Sequence, residues 1–219
     1  MRAAVAAGVP RLIYLSSTHA SSTLSAGWAI DEDSPVVASA AAYGTSKLGG
    51  ENALKDLAKD SQTQWTIVRA PLVYGPGAKG SLAMLARAVL RGVPLPLGSI
   101  TNNARDMIGL RNLAAFLQLC AGSKRAANEV FVVRDGEPVS TRHLIEHIAQ
   151  AAGRPARLVP CPPALLNAAA RGLGAKAMVE RLLGDHRVND AKARHVLGWQ
   201  AVQPLSFDLK RMVDALAAK

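Results

Sequence analysis

The stretch Leu12-Ile-Tyr-Leu-Ser-Ser17 decides the fold. Four apolar residues followed by two serines are typical of a short, buried strand of a parallel sheet. The stretch Trp65-Thr-Ile-Val-Arg69 is predicted to be a second buried strand, closed by Pro71. Between the two, small and apolar residues recur at helical spacing from about residue 40 to residue 59. A strand, a helix and a second strand predict two parallel strands joined by a right-handed crossover.

Strands and helices continue to alternate along the rest of the chain. Residues 18–39, rich in Ser, Ala, Asp and Pro, are expected to form a long loop. Short strands are predicted at 107–110 and 129–133, and helices at 2–8, 82–91, 112–121, 140–152 (with Ser140 as N-cap) and from about 205. This alternation indicates an α/β fold with a parallel sheet.

Composition excludes several classes of protein. With 49% hydrophobic and 19% charged residues, the chain is neither disordered nor fibrous. The formal charge of +10 would suit a nucleic acid, but the basic residues are scattered and aromatics are only 4%, so no nucleic-acid partner is expected. No apolar run reaches the roughly 20 residues that span a bilayer. We therefore expect a cytoplasmic protein without a membrane span, and cysteine spacing gives no reason to expect a metal site.

One glycine pattern resembles a dinucleotide-binding loop. Gly75-Pro-Gly-Ala-Lys-Gly80 follows a strand and precedes a helix, as such a loop should. However, no acidic residue follows at the distance needed to hold a ribose, and Pro76 removes a backbone N–H that would face the pyrophosphate. We expect a tight turn here instead.

The chemistry is carried by Ser17, Tyr43 and Lys47. Tyr43 and Lys47 are four residues apart, so on a helix they share one face. A nearby cation favours the charged phenolate form of a tyrosine, which could then act as a general base. Ser17 ends a strand, where ligands of open α/β sheets bind, and its hydroxyl could hold a substrate oxygen. Together the three groups would serve hydride transfer with a nicotinamide cofactor.

Each part also has a plainer interpretation. The tyrosine and lysine could share this spacing by chance, and Ser17 could merely cap a turn. Lys47 also precedes Glu51 by four residues, which is a common surface ion pair. The order of strand, serine, loop, helix with tyrosine and lysine, strand and proline is much harder to obtain by accident.

This order resembles the extended short-chain dehydrogenase/reductases, specifically the NAD-dependent epimerase/dehydratase family acting on sugar nucleotides. The stretches that carry the resemblance span nearly the whole chain in the family's order: Val9-Pro-Arg-Leu-Ile-Tyr-Leu-Ser-Ser17, Tyr43-Gly-Thr-Ser-Lys47 with Glu51, Arg69-Ala-Pro-Leu-Val-Tyr-Gly-Pro-Gly77, Asn103-Ala-Arg-Asp106, Asp135-Gly-Glu-Pro-Val-Ser140 and Leu197-Gly-Trp199.

The resemblance implies roles for individual residues. Ser17, Tyr43 and Lys47 would form the catalytic triad. The cofactor, NAD or NADP, would be contacted by Ser16, Tyr43, Lys47, Pro71, Leu72 and Val73. The substrate, a UDP-sugar or related nucleotide-sugar, would be contacted by Lys79, Gly80, Ser81, Arg105 and Arg181, with the two arginines reaching the nucleotide and its diphosphate.

The implied fold is the C-terminal portion of a Rossmann-type doubly wound parallel sheet with a smaller, mostly helical substrate domain. Residues 1–75 would form the partial Rossmann domain, to which the strand and helix at 103–125 return, and residues 76–219 mostly the substrate domain. The family's glycine-rich phosphate loop would lie upstream of Ser17, so the chain is expected to lack it. Leu72 stands where an Asn is frequent, and Asn112 where an Asp is usual.

Three functional interpretations remain open. The first is an epimerase or a 4-keto-sugar reductase that acts at C4 of a UDP-sugar, either of which could be a homodimer. The second is a ketone or hydroxysteroid-type reductase of the same fold, which would not need Arg105 and Arg181 beside Tyr43. The third is a non-catalytic remnant.

Overall fold

The computed structural model describes residues 1–22, 25, 27–35, 42–172 and 176–218. Its strands are β1 (Arg11–Ser17), β2 (Gln64–Ala70), β3 (Leu72–Tyr74), β4 (Met107–Gly109) and β5 (Glu129–Val132). Its helices are α1 (Arg2–Ala6), α2 (Ala42–Lys59), α3 (Gly80–Leu90), α4 (Leu110–Gly122), α5 (Thr141–Ala151), α6 (Pro163–Gly172), α7 (Lys176–Leu183), α8 (Ala191–Leu197) and α9 (Leu205–Ala217).

Three parallel strands form the main sheet in the order β1-β2-β5. Ser17 lies opposite Ala70, and Arg69 lies opposite Val132, so the carboxyl ends of all three strands meet at one edge. The predicted α/β fold with a parallel sheet is confirmed. The predicted Ser140 cap is also confirmed, since its hydroxyl oxygen accepts the backbone N–H of His143 at 3.1 Å. The predicted start of α2 near residue 40 lies outside the described residues, as does part of the predicted loop at 18–39.

The expectation that β1 is a buried strand is wrong for most of its length. Among the described residues β2 is its neighbour on one side, and β1 forms an edge of the sheet. Its apolar side chains are therefore only half-buried, and Leu15 is 38% exposed. Burial is complete only at Ser16 and Ser17, where the following turn and α2 cover the strand end.

A second sheet was not foreseen. The chain continues past Pro71 directly into β3, which pairs in parallel with β4. Strand β4 therefore pairs with β3. The third strand of the main sheet is β5, which comes later in the chain and pairs with β2. The division of the chain into domains near residue 75 stays a prediction.

Two apolar cores hold these elements together. One lies between β3, β4 and helices α3, α5 and α9. The other joins β2 and β5 to α4, α8 and Trp199, whose indole N–H donates to the carbonyl of Arg134 at 3.0 Å. Arg134 in turn forms ion pairs with Asp106 and Asp190, which ties the segment before β4 to the start of α8.

The glycines at 75–80 form a tight turn, as predicted. The backbone N–H of Ala78 donates to the carbonyl of Gly75 at 3.1 Å. Gly75 has a φ of +143°, and an added Cβ would lie 2.9 Å from the Cβ of Leu110. The glycine thus serves close packing against α4 rather than contact with a phosphate. None of the described helices is long and apolar enough to cross a membrane.

Candidate active site

A cavity of about 310 Å³ opens beyond the carboxyl ends of β1 and β2. It brings together most of the site residues predicted from the sequence, with two histidines that were not: its lining is Ser17, His19, Tyr43, Pro71, Leu72, Val73, Ser81, Arg105, Arg181 and His186. The parallel register explains this convergence, because it sets the end of β1 beside the end of β2 and hence beside Pro71.

The Ser17 hydroxyl is held in a defined orientation. Its side chain is buried, and its Oγ accepts the backbone N–H of His19 at 3.2 Å. That bond also caps the short 3₁₀ turn Thr18–Ala20, so Ser17 does cap a turn, as its plainer interpretation states. A hydroxyl that already accepts one hydrogen bond keeps its own proton to donate to a ligand in the cavity.

Tyr43 stands in the first turn of α2 at the mouth of the cavity, and 55% of its surface is exposed. Lys47 lies one helical turn further on. Its ammonium group is 5.8 Å from the centre of the Tyr43 ring and donates to the carbonyl of Leu15 at 3.0 Å. Lys47 thus lies close to the phenol ring without being among the residues that line the cavity.

Glu51 does not form the surface pair with Lys47 that the spacing allows. It is 1% exposed and accepts two hydrogen bonds from the guanidinium group of Arg69. Ser16, predicted to contact a cofactor, donates its hydroxyl to Glu51 Oε1 at 2.5 Å and is not among the residues that line the cavity. These three residues fix α2 on β1 and β2, and thereby fix Tyr43 relative to Ser17.

The other side of the cavity is positively charged. The backbone of Arg105 exchanges two hydrogen bonds with Val139, and that of the next residue bonds to His186. The guanidinium group of Arg105 donates to the backbone carbonyl of Arg181. Burial, followed by the charge of Arg181, lowers the pKa of Arg105. Two cations held this close together would be stabilised by an anion between them.

His19 and His186 are the cavity residues that the sequence analysis missed. Their rings lie 5.6 Å apart, and His186 Nε2 is 2.8 Å from Thr18 Oγ1. Burial, with smaller effects from Arg181 and Arg105, lowers the pKa of His19. The available signal was the place of His19 two residues after Ser17 in the sequence. His186 follows a helix far along the chain and carried no comparable signal.

Some of the remaining predicted residues line the cavity and others do not. Leu72 and Val73 add an apolar wall beside Pro71, and Ser81 reaches the cavity from the first turn of α3. Lys79 and Gly80 are exposed and do not belong to the residues that line it. Within the described residues, no group of three His, Cys, Asp or Glu side chains could hold a metal ion.

Comparison with known sequences identifies a family model and two relatives that match this chain. The sequence model of the NAD dependent epimerase/dehydratase family matches residues 1–133. A UDP-glucose 4-epimerase of Vibrio cholerae is 38% identical over 173 residues, which are 79% of this chain and 53% of that protein. A UDP-glucose 4-epimerase of Mycolicibacterium smegmatis is 27% identical over 218 residues, covering 97% of this chain and 64% of that protein. The chain thus spans between about half and two thirds of these relatives.

Solved structures share the fold. MoeE5 in complex with UDP-glucose and NAD has a TM-score of 0.73 at 23% identity, covering 99% of this chain and 68% of that one. The UDP-glucuronic acid 4-epimerase of Bacillus cereus in complex with NAD has a TM-score of 0.73 at 19% identity, covering 95% of this chain and 61% of that one.

Proposed function

Because the chain belongs to the NAD dependent epimerase/dehydratase family, we propose that its cavity serves hydride transfer at C4 of a UDP-sugar, as an epimerase or a 4-keto-sugar reductase. The observation that carries the proposal is one cavity lined by a serine, a tyrosine and two arginines. Relatives named as UDP-glucose 4-epimerases support this choice of substrate.

The described residues fit the nicotinamide end of a dinucleotide. Pro71, Leu72 and Val73 offer an apolar wall for a planar ring in the same cavity as Tyr43. The Lys47 ammonium group, close to the Tyr43 ring, could donate to a ribose hydroxyl. When bound, NAD or NADP would accept a hydride from the sugar and return it.

The proton would be moved by the protein. Ser17 would donate a hydrogen bond to the C4 oxygen of the sugar, keep its own proton, and hold that oxygen near Tyr43. The Tyr43 phenolate would accept the proton of the C4 hydroxyl when C4 is oxidised and give it back when C4 is reduced. Lys47 would keep its positive charge close to the Tyr43 ring during this exchange.

Arg105 and Arg181 favour a diphosphate substrate over an uncharged ketone. Both line the cavity, and the Arg105 guanidinium contacts the Arg181 backbone. A diphosphate would neutralise this pair of charges, whereas a steroid or simple ketone would leave them without a counter-ion. The nucleotide-sugar interpretation is therefore preferred to the ketone reductase. The cofactor stays predicted as NAD or NADP, without a choice between them. The homodimer also stays a prediction.

The test is turnover in two assays. UDP-glucose with NAD would report epimerisation, and a UDP-4-keto-sugar with NADH or NADPH would report reduction. We expect Tyr43→Phe to lower kcat by at least about 100-fold in the assay that shows turnover, because a positioned proton carrier supplies this much. Tyr14→Phe is the matched control, since Tyr14 is not among the residues that line the cavity and the variant keeps the ring that the Lys47 ammonium group contacts. Equal rates for Tyr43→Phe and the wild type would reject Tyr43 as the base.

A further inference from the structure

Ser17 and Tyr43 are both in contact with one residue, His19. The backbone N–H of His19 donates to Ser17 Oγ at 3.2 Å. Its imidazole ring lies 6.1 Å from the Tyr43 ring, centre to centre, with an angle of 84° between the two planes. This is an edge-to-face aromatic contact. One residue therefore touches both the serine proposed to hold the C4 oxygen and the tyrosine proposed as the base.

The ring of His19 also contacts a second aromatic side chain. Its ring lies 5.6 Å from the ring of His186, at an angle of 59°. His186 is 5% exposed, and its backbone N–H donates to the carbonyl of Ala104 at 2.8 Å. The imidazole of His19 thus contacts both Tyr43 and a buried histidine.

The turn that carries His19 is pressed against the helix that carries Tyr43. An added Cβ on Gly44 would lie only 2.3 Å from the backbone oxygen of His19. The glycine therefore permits an approach that any side chain would prevent. In the part of the chain that the structure describes, the ring contacts recorded for Tyr43 are those with His19 and Lys47. The His19 ring is thus one of the groups that limit the orientation of the half-exposed Tyr43 ring.

We propose that His19 is a positioning residue, which holds the ring of Tyr43 and the hydroxyl of Ser17 in the geometry that the proton transfer requires. The role in proton transfer rests on the proposed function. The contacts of His19 with Ser17 and Tyr43 do not depend on it. The groups that face His19 are Tyr43 from α2, Arg105, Arg181 and His186. Burial first, then the two arginines, lowers its pKa, so that an uncharged ring packs against Tyr43 near neutral pH.

The first test needs no substrate. Carbon-13 labelled tyrosine rings are observed by NMR, and the Tyr43 signal is assigned by its loss in Tyr43→Phe. We expect His19→Ala to shift the Tyr43 signal and His19→Phe to shift it much less. The signal of Tyr74, which lies in the core between β3, β4, α3, α5 and α9, should stay unchanged in both variants. A Tyr43 signal that is the same in the wild type and in His19→Ala would overturn the proposal.

The second test is kinetic. We expect His19→Ala to lower kcat by about 10- to 100-fold with little change in KM, because small misplacements of reacting groups have effects of this size. His19→Phe, which keeps an aromatic ring, should recover most of kcat. If both variants instead raise KM and leave kcat unchanged, the imidazole binds substrate and the positioning role is rejected.

Controls separate the two proposals. His143→Ala, on the exposed side of α5, should match the wild type in both tests. Circular dichroism and thermal melting identify any variant that fails to fold, in which case His19→Gln takes its place. If the wild type shows no turnover, the proposed function fails, while the NMR comparison still decides whether His19 orients Tyr43.

Discussion

The guanidinium group of Arg69 and the carboxylate of Glu51 form a buried ion pair that joins β2 to α2. Nη2 of Arg69 lies 2.8 Å from Oε2 of Glu51, and Nε lies 3.0 Å from Oε1. The side chains are 8% and 1% exposed. Arg69 also donates to the Ser21 hydroxyl and to the backbone carbonyl of Glu32. The pair thus connects the strand, the helix and the loop around the candidate active site.

Removing the charge of Glu51 should destabilise the protein strongly. We expect Glu51→Gln to lower the free energy of unfolding by about 3 kcal/mol, because it leaves a buried arginine without a counter-ion. Urea denaturation measures the change. The control is Glu146→Gln, whose ion pair with Arg142 is solvent-exposed and worth at most about 1 kcal/mol. Similar losses in the two variants would contradict the assigned burial.

Two glycines of α2 should respond to alanine in opposite directions. At Gly44 the new Cβ would meet the His19 carbonyl at 2.3 Å, so the helix must move away from the turn. We expect Gly44→Ala to cost about 1–3 kcal/mol. At Gly49 nothing lies within 4 Å, so Gly49→Ala should stabilise the helix by about 0.5–1 kcal/mol. Thermal melting of the two variants measures these changes. Stabilisation by Gly44→Ala would show that α2 does not approach the His19 carbonyl closely.

Asn112 should not tolerate replacement by aspartate. Its amide Nδ2 donates to Asp135 Oδ2 at 2.7 Å and to the carbonyl of Gln203. Asn112→Asp removes these donors and sets a second carboxylate beside Asp135, so we expect a loss of about 2 kcal/mol in unfolding free energy. Asn102→Asp, on an exposed residue, is the control. Since protonation of one carboxyl relieves the repulsion, the loss should shrink at low pH.

His19 should make stability dependent on pH. Burial and the nearby arginines lower its pKa in the folded state. The unfolded chain, with an ordinary histidine pKa of about 6.5, then binds a proton that the folded state does not, and stability falls as the pH decreases below this value. His19→Gln lacks this contribution. We expect its unfolding free energy, from urea titrations at several pH values, to decline less than that of the wild type as the solution is acidified. Parallel declines would mean that His19 titrates normally.

The two cavity arginines should bind a diphosphate together. We expect Arg105→Ala and Arg181→Ala each to weaken UDP binding in calorimetry by about 10-fold or more, the size of one charged hydrogen bond. The exposed Arg142, replaced by alanine, controls for a general change in charge. The affinity of the wild type for UDP should fall as salt is added. Equal UDP affinities in all four proteins would remove the support for a nucleotide-sugar.

The local elements were predictable because their signals are local. Runs of apolar residues such as 12–15 and 65–68 predicted parallel strands, and helix ends followed from Ser140 and from Gly153, where φ is +61°. Ser17, Tyr43 and Arg105 were named as site residues from their spacing or family motif, and they line one cavity. The pairing of β4 with β3 was not foreseen, because periodicity indicates that a strand exists and not which neighbour it pairs with.

The sequence by itself determined the α/β class, the family and the principal residues of the candidate site, since these depend on short-range patterns. Only the tertiary structure decided that Glu51 turns inward to Arg69, that β1 is partly exposed, and that the His19 ring contacts those of Tyr43 and His186. The physical reason is distance along the chain: Thr18 and His186 are 168 residues apart, yet their side chains lie within hydrogen-bonding distance. A spacing of four residues places two side chains on one face of a helix. Which residue each of them contacts is decided by how that helix packs against the rest of the protein.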